Sequence, residues 1–422
     1  MEVVEFKYKT YTAYKDSGVE WLGKVPEHWD AKRLGTHFTE RKTKVSDKDY
    51  KPLSVTKQGI LPQLENAVKS NDGDNRKLVK KGDFVINSRS DRKGSSGIAN
   101  ENGSVSLINI VMKPKDFKRG YTNYLLKGYS FIEEFYRNGH GIVADLWTTR
   151  YDEMKNIKIP IPPLPEQTAI ANFLDNKTAK IDQAIAQKEK LIELLKERKQ
   201  ILIQNAVTKG LDPNAKMKDS GIKSIGRIPQ HWQTKKLKYI LDSQGRIGFK
   251  GYTTSDLVDK SEGALTLGAS HMDWDGNIIL DNPVYISWKK YYESPEIMVS
   301  KGDILIVQRG STCGKVALID SELGETTINP SLVLLKNIKE LPNYVFEGIK
   351  VVLSEILNIV SNTAIPMLSQ FQIDNIIIPI PPNEEQVQIS SWIISESIKY
   401  DKAIALQQKQ IEKLKEYKAT LI

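Results

Sequence analysis

The chain has 422 residues, 40% hydrophobic and 27% charged, which is enough for two or more packed domains and too polar for a membrane protein. No apolar run approaches the roughly 20 residues that span a bilayer, and the opening MEVVEFKYKTYTAYKD lacks a signal peptide's apolar core, so a cytoplasmic address is expected. The single cysteine, Cys313, excludes intrachain disulfides and a cysteine-based zinc cluster, and the net charge of +9 favours a polyanionic partner without requiring one.

The first distinctive segment, Ser17-Gly18 through Gly23-Lys24-Val25-Pro26-Glu27-His28-Trp29, returns as Ser220-Gly221 through Gly226-Arg227-Ile228-Pro229-Gln230-His231-Trp232, 203 residues on (220 − 17). Tyr14-Lys15-Asp16 before the first copy resembles Met217-Lys218-Asp219 before the second. Next comes Lys81-Gly82-Asp83, followed by apolar residues and Arg89; Lys301-Gly302-Asp303 leads through the same pattern to Arg309. Each reads as a turn entering a buried strand that leaves at a polar loop. Asn156-Ile157-Lys158-Ile159-Pro160-Ile161-Pro162-Pro163 pairs with Asn375-Ile376-Ile377-Ile378-Pro379-Ile380-Pro381-Pro382, and Glu166-Gln167 with Glu385-Gln386. Matches in the same order at this long period indicate duplication of a whole domain plus a helix, not a solenoid.

After each proline run the pattern turns helical. Glu166 to about Thr208 contains no proline or glycine, and Ile181, Ile185, Ile192, Leu195 and Leu202 form an a/d seam. Tyr400, Ile404, Ile411, Leu414 and Leu421 repeat its spacings, with Lys188 and Gln407 at one matching polar position and Lys199 and Lys418 at another. About 42 helical residues would extend roughly 63 Å, a rigid spacer. The blander alternative is that each helix covers its own domain's core, but so narrow a seam leaves both long flanks charged. Gly210, Asp212 and Pro213 end the first helix. The expected segments are 1–165 (first domain with the N-terminal segment), 166–210 (first helix), 211–384 (linker and second domain) and 385–422 (second helix). The fold class is α+β, two duplicated mixed domains each followed by a long helix, and the N-terminus reads as the continuation that the C-terminus needs in a ring of two halves. The second helix reaches Ile422, which matches Ile203, whereas the first runs on through 204–211.

Chemistry of its own is scarce. Gly310-Ser311-Thr312-Cys313-Gly314-Lys315-Val316 has three residues between its glycines where a phosphate loop has four, and Val where Mg-nucleotide needs Ser or Thr. Asn329-Pro330-Ser331 fails as an amino-methyltransferase motif, and Glu197-Arg198-Lys199 reads as a solvated helix face. His28 and His231 read as packing or turn residues, with no acid at fixed spacing. No catalytic residue and no metal site is expected.

This organisation resembles the specificity subunits of type I restriction-modification systems over essentially the whole chain, carried by Gly226–Trp232, the Lys-Gly-Asp strands, Ile159–Gln167 and Ile378–Gln386. The resemblance implies a non-catalytic DNA reader in which each variable domain recognises half of a bipartite site in double-stranded DNA. It also implies that the two helices form an antiparallel coiled coil in a pseudo-two-fold, circular arrangement and set the distance between domains. Two methyltransferase subunits would dock and supply S-adenosylmethionine; restriction-translocase subunits would supply ATP and Mg chemistry. No cofactor is expected in this chain.

Residues shared by the copies, such as Trp29 and Trp232 or Gly82 and Gly302, are expected to build scaffold; loops that differ are expected to read DNA. The candidates are Lys57, Gln58, Ser88, Arg89, Ser90, Arg92, Lys93 and Thr148-Thr149-Arg150 in the first domain. In the second they are Gln244, Arg246, Lys250, Ser270, His271, Gln308, Arg309, Ser311, Lys315 and Ser369-Gln370. Arg pairs with guanine and Gln with adenine by paired hydrogen bonds in the major groove. Arg89 and Arg309 lead because both copies place a guanidinium there. Two readings from other classes stay open: a coiled-coil adaptor with protein-binding globular domains, and a self-sufficient nuclease or methyltransferase.

Overall fold

The structure is a computed structural model describing residues 11–63, 73–141, 147–222, 225–246, 251–360 and 367–422, with the side chains of 354–360 excepted. It divides into two compact units, Met1–Glu189 with Lys409–Ile422, and Lys190–Gln408. The division passes through both long helices instead of at their ends, because each domain packs on the near part of its own helix and the far part of the other. The C-terminal segment thus returns to the unit that begins the chain, and Ile422 lies beside Gly128. Among the described residues, no helix is long and apolar enough to cross a membrane.

In the first unit the Lys-Gly-Asp motif introduces the strand Phe84–Asn87, which lies between Ser96–Ile98 and Asn109–Pro114 in an antiparallel sheet. Its alternating side chains divide between two cores: Phe84 and Ile86 pack with Phe38, Phe131, Phe135 and Ile159, whereas Val85 packs with Val79, Val105 and Val111. The second unit repeats the scheme with Ile304–Val307, whose Ile304 and Ile306 face the Trp232 core and whose Leu305 and Val307 face Leu265, Leu267 and Ile328. The Gly82 and Gly302 backbones, at φ +97° and +93°, form the turn before each strand, and Asp83 and Asp303 each accept a backbone hydrogen bond there at 2.8 Å. Asp83 also receives two hydrogen bonds from Arg41, at 2.7 and 3.1 Å. Among the described residues Asp303 gains no arginine, and burial pushes its carboxyl above the ordinary range.

The proline runs are edge strands. Lys158–Ile161 pairs with Asp30–Arg33, and Ile377–Ile380 with Gln233–Lys236, so each run binds to the segment just after its own His-Trp motif. The helices then begin at Leu164 and Asn383, two residues before the expected starts; in the first, Pro165 falls in the first turn, where it costs no hydrogen bond. The first ends at Lys209 with Gly210 at φ +74°; the second ends at Leu421.

Glu166 and Glu385 explain two of the repeated motifs at once. Glu166 accepts hydrogen bonds from Trp29 Nε1 (2.9 Å) and Tyr11 (2.8 Å) and meets His28 Nε2 at 2.7 Å. Glu385 accepts from Trp232 Nε1 at 2.9 Å and meets His231 at 2.6 Å. Each histidine thus has an acid partner, but at no fixed spacing: the acids stand 138 and 154 residues away, across the domain. Gln167 and Gln386 complete the grip, accepting from the backbones of Lys118 and Leu341 and donating to Pro162 and Pro381.

Burial pushes the Glu166 carboxyl up, but hydrogen bonds from Trp29, His28 and Tyr11 outweigh it and hold the group below its ordinary 4.5. A depressed folded-state value stabilises the fold fully above the unfolded value, and that contribution is lost as pH falls through the folded one. We expect Glu166→Gln to lower stability at neutral pH and to flatten its decline below pH 4.5. Denaturant midpoints measured across the acid range check this; parallel pH profiles for the two proteins would contradict it.

Along the helices the expected seam residues are buried or half-buried. In the first unit Ile181, Ile185 and Ile411 are buried, Lys418 binds Asp182 at 2.6 Å, and Lys188 binds Gln410. In the second, Ile192, Leu195, Leu202, Tyr400 and Ile404 are half-buried, and Lys199 binds Asp401 at 2.8 Å. Numbers rise along one helix as they fall along the other, so the pairing is antiparallel. The two Lys-Asp pairs occupy equivalent positions; partly exposed pairs contribute at most about 1 kcal/mol each, so they fix register more than stability.

Candidate nucleic-acid interface

Where each central strand leaves its sheet, the chain forms the same junction in both units. In the first, Thr149 N donates to Ser88 O at 3.0 Å, and Arg89 lies in an antiparallel bridge with Thr148. In the second, Leu368 N donates to Gln308 O at 2.7 Å, and Arg309 is bridged to Met367. The post-strand loop and the return segment, 60 or so residues apart, are thereby joined side by side. Arg89 and Arg309 are both exposed, and neither guanidinium has a partner among the described residues.

Around Arg89, Ser90 N donates to Trp147 O at 3.1 Å, Arg92 is exposed beside Asp91, and Lys93 pairs with Glu133 at 2.6 Å over the Tyr136 ring. Arg150 is exposed, its backbone capped by Glu153 at 2.7 Å. Lys57 and Gln58 form an exposed hairpin tip whose neighbour Gly59 packs against Gly97, in the strand after the Arg89–Lys93 loop; a Cβ at Gly97 would lie 3.0 Å from Gly59 Cα. In the second unit the pairings Gly245 with Val333, Val307 with Leu332, and Ile306 with Val316 bring four strand ends together. Gln244, Gln308, Arg309, Ser311 and Lys315 consequently gather at one end of that sheet. Ser270 is exposed after the Gly263–Leu267 strand of the neighbouring sheet.

Several candidates are occupied within the fold. Ser88, Thr149, Arg246 and His271 are buried, which corrects their expected place on the surface. Arg246 donates to Ile328 O and Thr327 Oγ1, and burial lowers its pKa; it is a structural cation. His271 accepts from Gly268 N at Nδ1, which leaves Nε2 as the donor to Asn282 O. Gln308, Gln370 and Lys315 use their polar ends on Pro330 O, Ser243 O and Met272 O. Lys250 lies outside the described residues. The Gly310–Lys315 loop runs into the strand Val316–Leu318, not the helix that a phosphate loop requires.

Reading the sequence for polar groups misses three exposed apolar side chains at the second unit's junction and beside Lys315: Met367, Phe371 and Trp274. A signal for the first two is available, since the equivalent positions in the first copy hold Thr148 and Asp152. Among the described residues no group of three or more His, Cys, Asp or Glu is placed to hold a metal ion.

A family model for the type I restriction modification DNA specificity domain matches residues 26–194 and 229–416. The chain is 26% identical to the type I restriction enzyme MjaVIII specificity subunit of Methanocaldococcus jannaschii, over 94% of this chain and 92% of that protein. Among solved structures it resembles a chain from work on complex assembly and conformational transition of the type I R-M system, with TM-score 0.69 at 15% identity over 94% of this chain and 97% of that one. It also resembles the HsdS subunit of Thermoanaerobacter tengcongensis, with TM-score 0.53 at 16% identity over 96% and 97%.

Proposed function

The chain belongs to the type I restriction-modification DNA specificity family, and on that premise we propose that it reads a bipartite DNA sequence, one half with each unit, without catalysing a reaction itself. The observation that carries this reading is the duplicated junction: one backbone frame presents Arg89 in one unit and Arg309 in the other, both exposed, among side chains that otherwise differ. A shared frame with divergent contacts suits two readers of two sequences. Phosphate contacts would give affinity, and base-edge contacts discrimination.

Methyl transfer and cleavage belong, on this reading, to methyltransferase and restriction subunits, which would bring S-adenosylmethionine, ATP and Mg. Exposed aliphatic side chains on the second unit's helices, including Leu191, Leu194, Val387, Ile394 and Ile398, support docking of such protein partners.

The test is Arg89→Ala and Arg309→Ala, each in the complex assembled with methyltransferase subunits. If each arginine reads a guanine edge, its loss relaxes preference at one base pair of its own half-site by about 1–3 kcal/mol and leaves the other half intact. Binding to single-base variants at two salt concentrations measures this. A uniform loss with the salt slope reduced by about one would make the arginine a phosphate contact. No change in either would remove these loops from the DNA surface.

A further inference from the structure

We propose that Phe371 and Met367 make the second unit a reader of thymine, packing against the C5-methyl group of a thymine in its half-site; this rests on the DNA-reading function above. Phe371 is 75% exposed and Met367 57% exposed, yet the backbone under each is fixed. Phe371 O accepts hydrogen bonds from Asn375 N and Nδ2 at 3.2 and 2.8 Å, and the neighbouring Ile373 is fully buried, anchoring the Gln370–Asp374 turn. Met367 is held in the bridge to Arg309, and the next residue, Leu368, is 1% exposed. Met367 therefore stands beside the exposed Arg309, with Phe371 four residues further on in a turn anchored by Ile373.

The scaffold does not require them: the first unit builds the same junction with Thr148 and Asp152. Solvent alone gives no reason to hold a phenyl ring outward. A protein partner fits poorly, because a stable interface buries on the order of 1,200–2,000 Å² and two side chains flanked by Arg309 supply a small part of that. Of the groups on major-groove base edges, the thymine methyl is the apolar one, and phenyl is among the side chains that pack on it. Arg309 alongside can hold a phosphate or a guanine and so set the register of that contact.

The experiment replaces each thymine of the mapped site, one at a time in both halves, with deoxyuridine, and measures binding by the assembled complex. In the half-site that Arg309→Ala perturbs, one replacement is expected to weaken binding about fourfold, the worth of one buried methyl-sized group. Phe371→Ala should lose that sensitivity while other bases keep their preferences, and Phe371→Leu should retain most of it. A half-site with no deoxyuridine penalty, a penalty that persists in Phe371→Ala, or a uniform weakening on all sequences would each overturn the proposal while leaving DNA reading in place. So would a Phe371→Ala defect confined to subunit assembly. A wild-type complex with no sequence preference would overturn the DNA reading itself.

Discussion

Trp232→Ala is expected to destabilise the second unit by about 3–5 kcal/mol, the range for removing a fully buried large aromatic side chain. Trp232 is 0% exposed and is packed in the core with Ala206 and Val207 from the end of the first long helix. Gly210 closes that cover: a Cβ there would stand 3.1 Å from the indole ring. Tyr344 tightens it from the other side, its hydroxyl lying 3.1 Å from Val207 O and 3.0 Å from Pro379 O. Trp29 in the first unit is only half-buried, edged by Tyr11 at 5.8 Å, so Trp29→Ala should cost less. Glu385→Ala should fall between them, about 1–3 kcal/mol, because it strands the Trp232 Nε1 donor. Denaturant unfolding of the full chain, with the transition of each unit followed separately, gives the order. Equal losses for the two tryptophans would show that the helix end does not matter to the Trp232 core.

Insertion of four residues after Lys188 should abolish recognition at the original spacing and restore it at a different gap, with the bases of both half-sites unchanged. Lys188 lies at the edge of the first unit within a helix that continues into the second. Four helical residues add about 6 Å and rotate the downstream part of the helix by roughly 40° beyond a full revolution, so separation and rotation both change. They also shift the seam by part of a heptad, which the Lys199–Asp401 and Lys418–Asp182 pairs oppose. Selection of methylated sites from a random library reads the outcome. Altered half-site bases at an unchanged gap would mean that the helices do not act as the spacer.

The duplication is legible in the sequence because it reuses residues whose roles are local and periodic. Glycines at positive φ, prolines on edge strands and an a/d seam each leave a mark at short range, and their order repeats. Glu166 and Glu385 are visible as part of a motif but not as partners of His28 and His231, because no spacing rule links residues brought together by a whole domain. The interface is legible in outline only. Arg89 and Arg309 stand out by recurring, whereas Arg246 and His271 look like surface readers until the fold supplies Ile328 O, Thr327 and Asn282 O as internal partners. Met367 and Phe371 show in the sequence only by comparing the copies, which hold Thr148 and Asp152 there, because the exposure of an apolar side chain depends on tertiary packing.

Whether this chain divides DNA reading between two duplicated units can be read by mapping methylated adenines genome-wide in cells carrying the complete system with the wild-type chain, Arg89→Ala or Arg309→Ala. The expected result is a two-part motif with a fixed gap, relaxed in one part by the first substitution and in the other part by the second. A single continuous motif, or two substitutions that relax the same part, would contradict it.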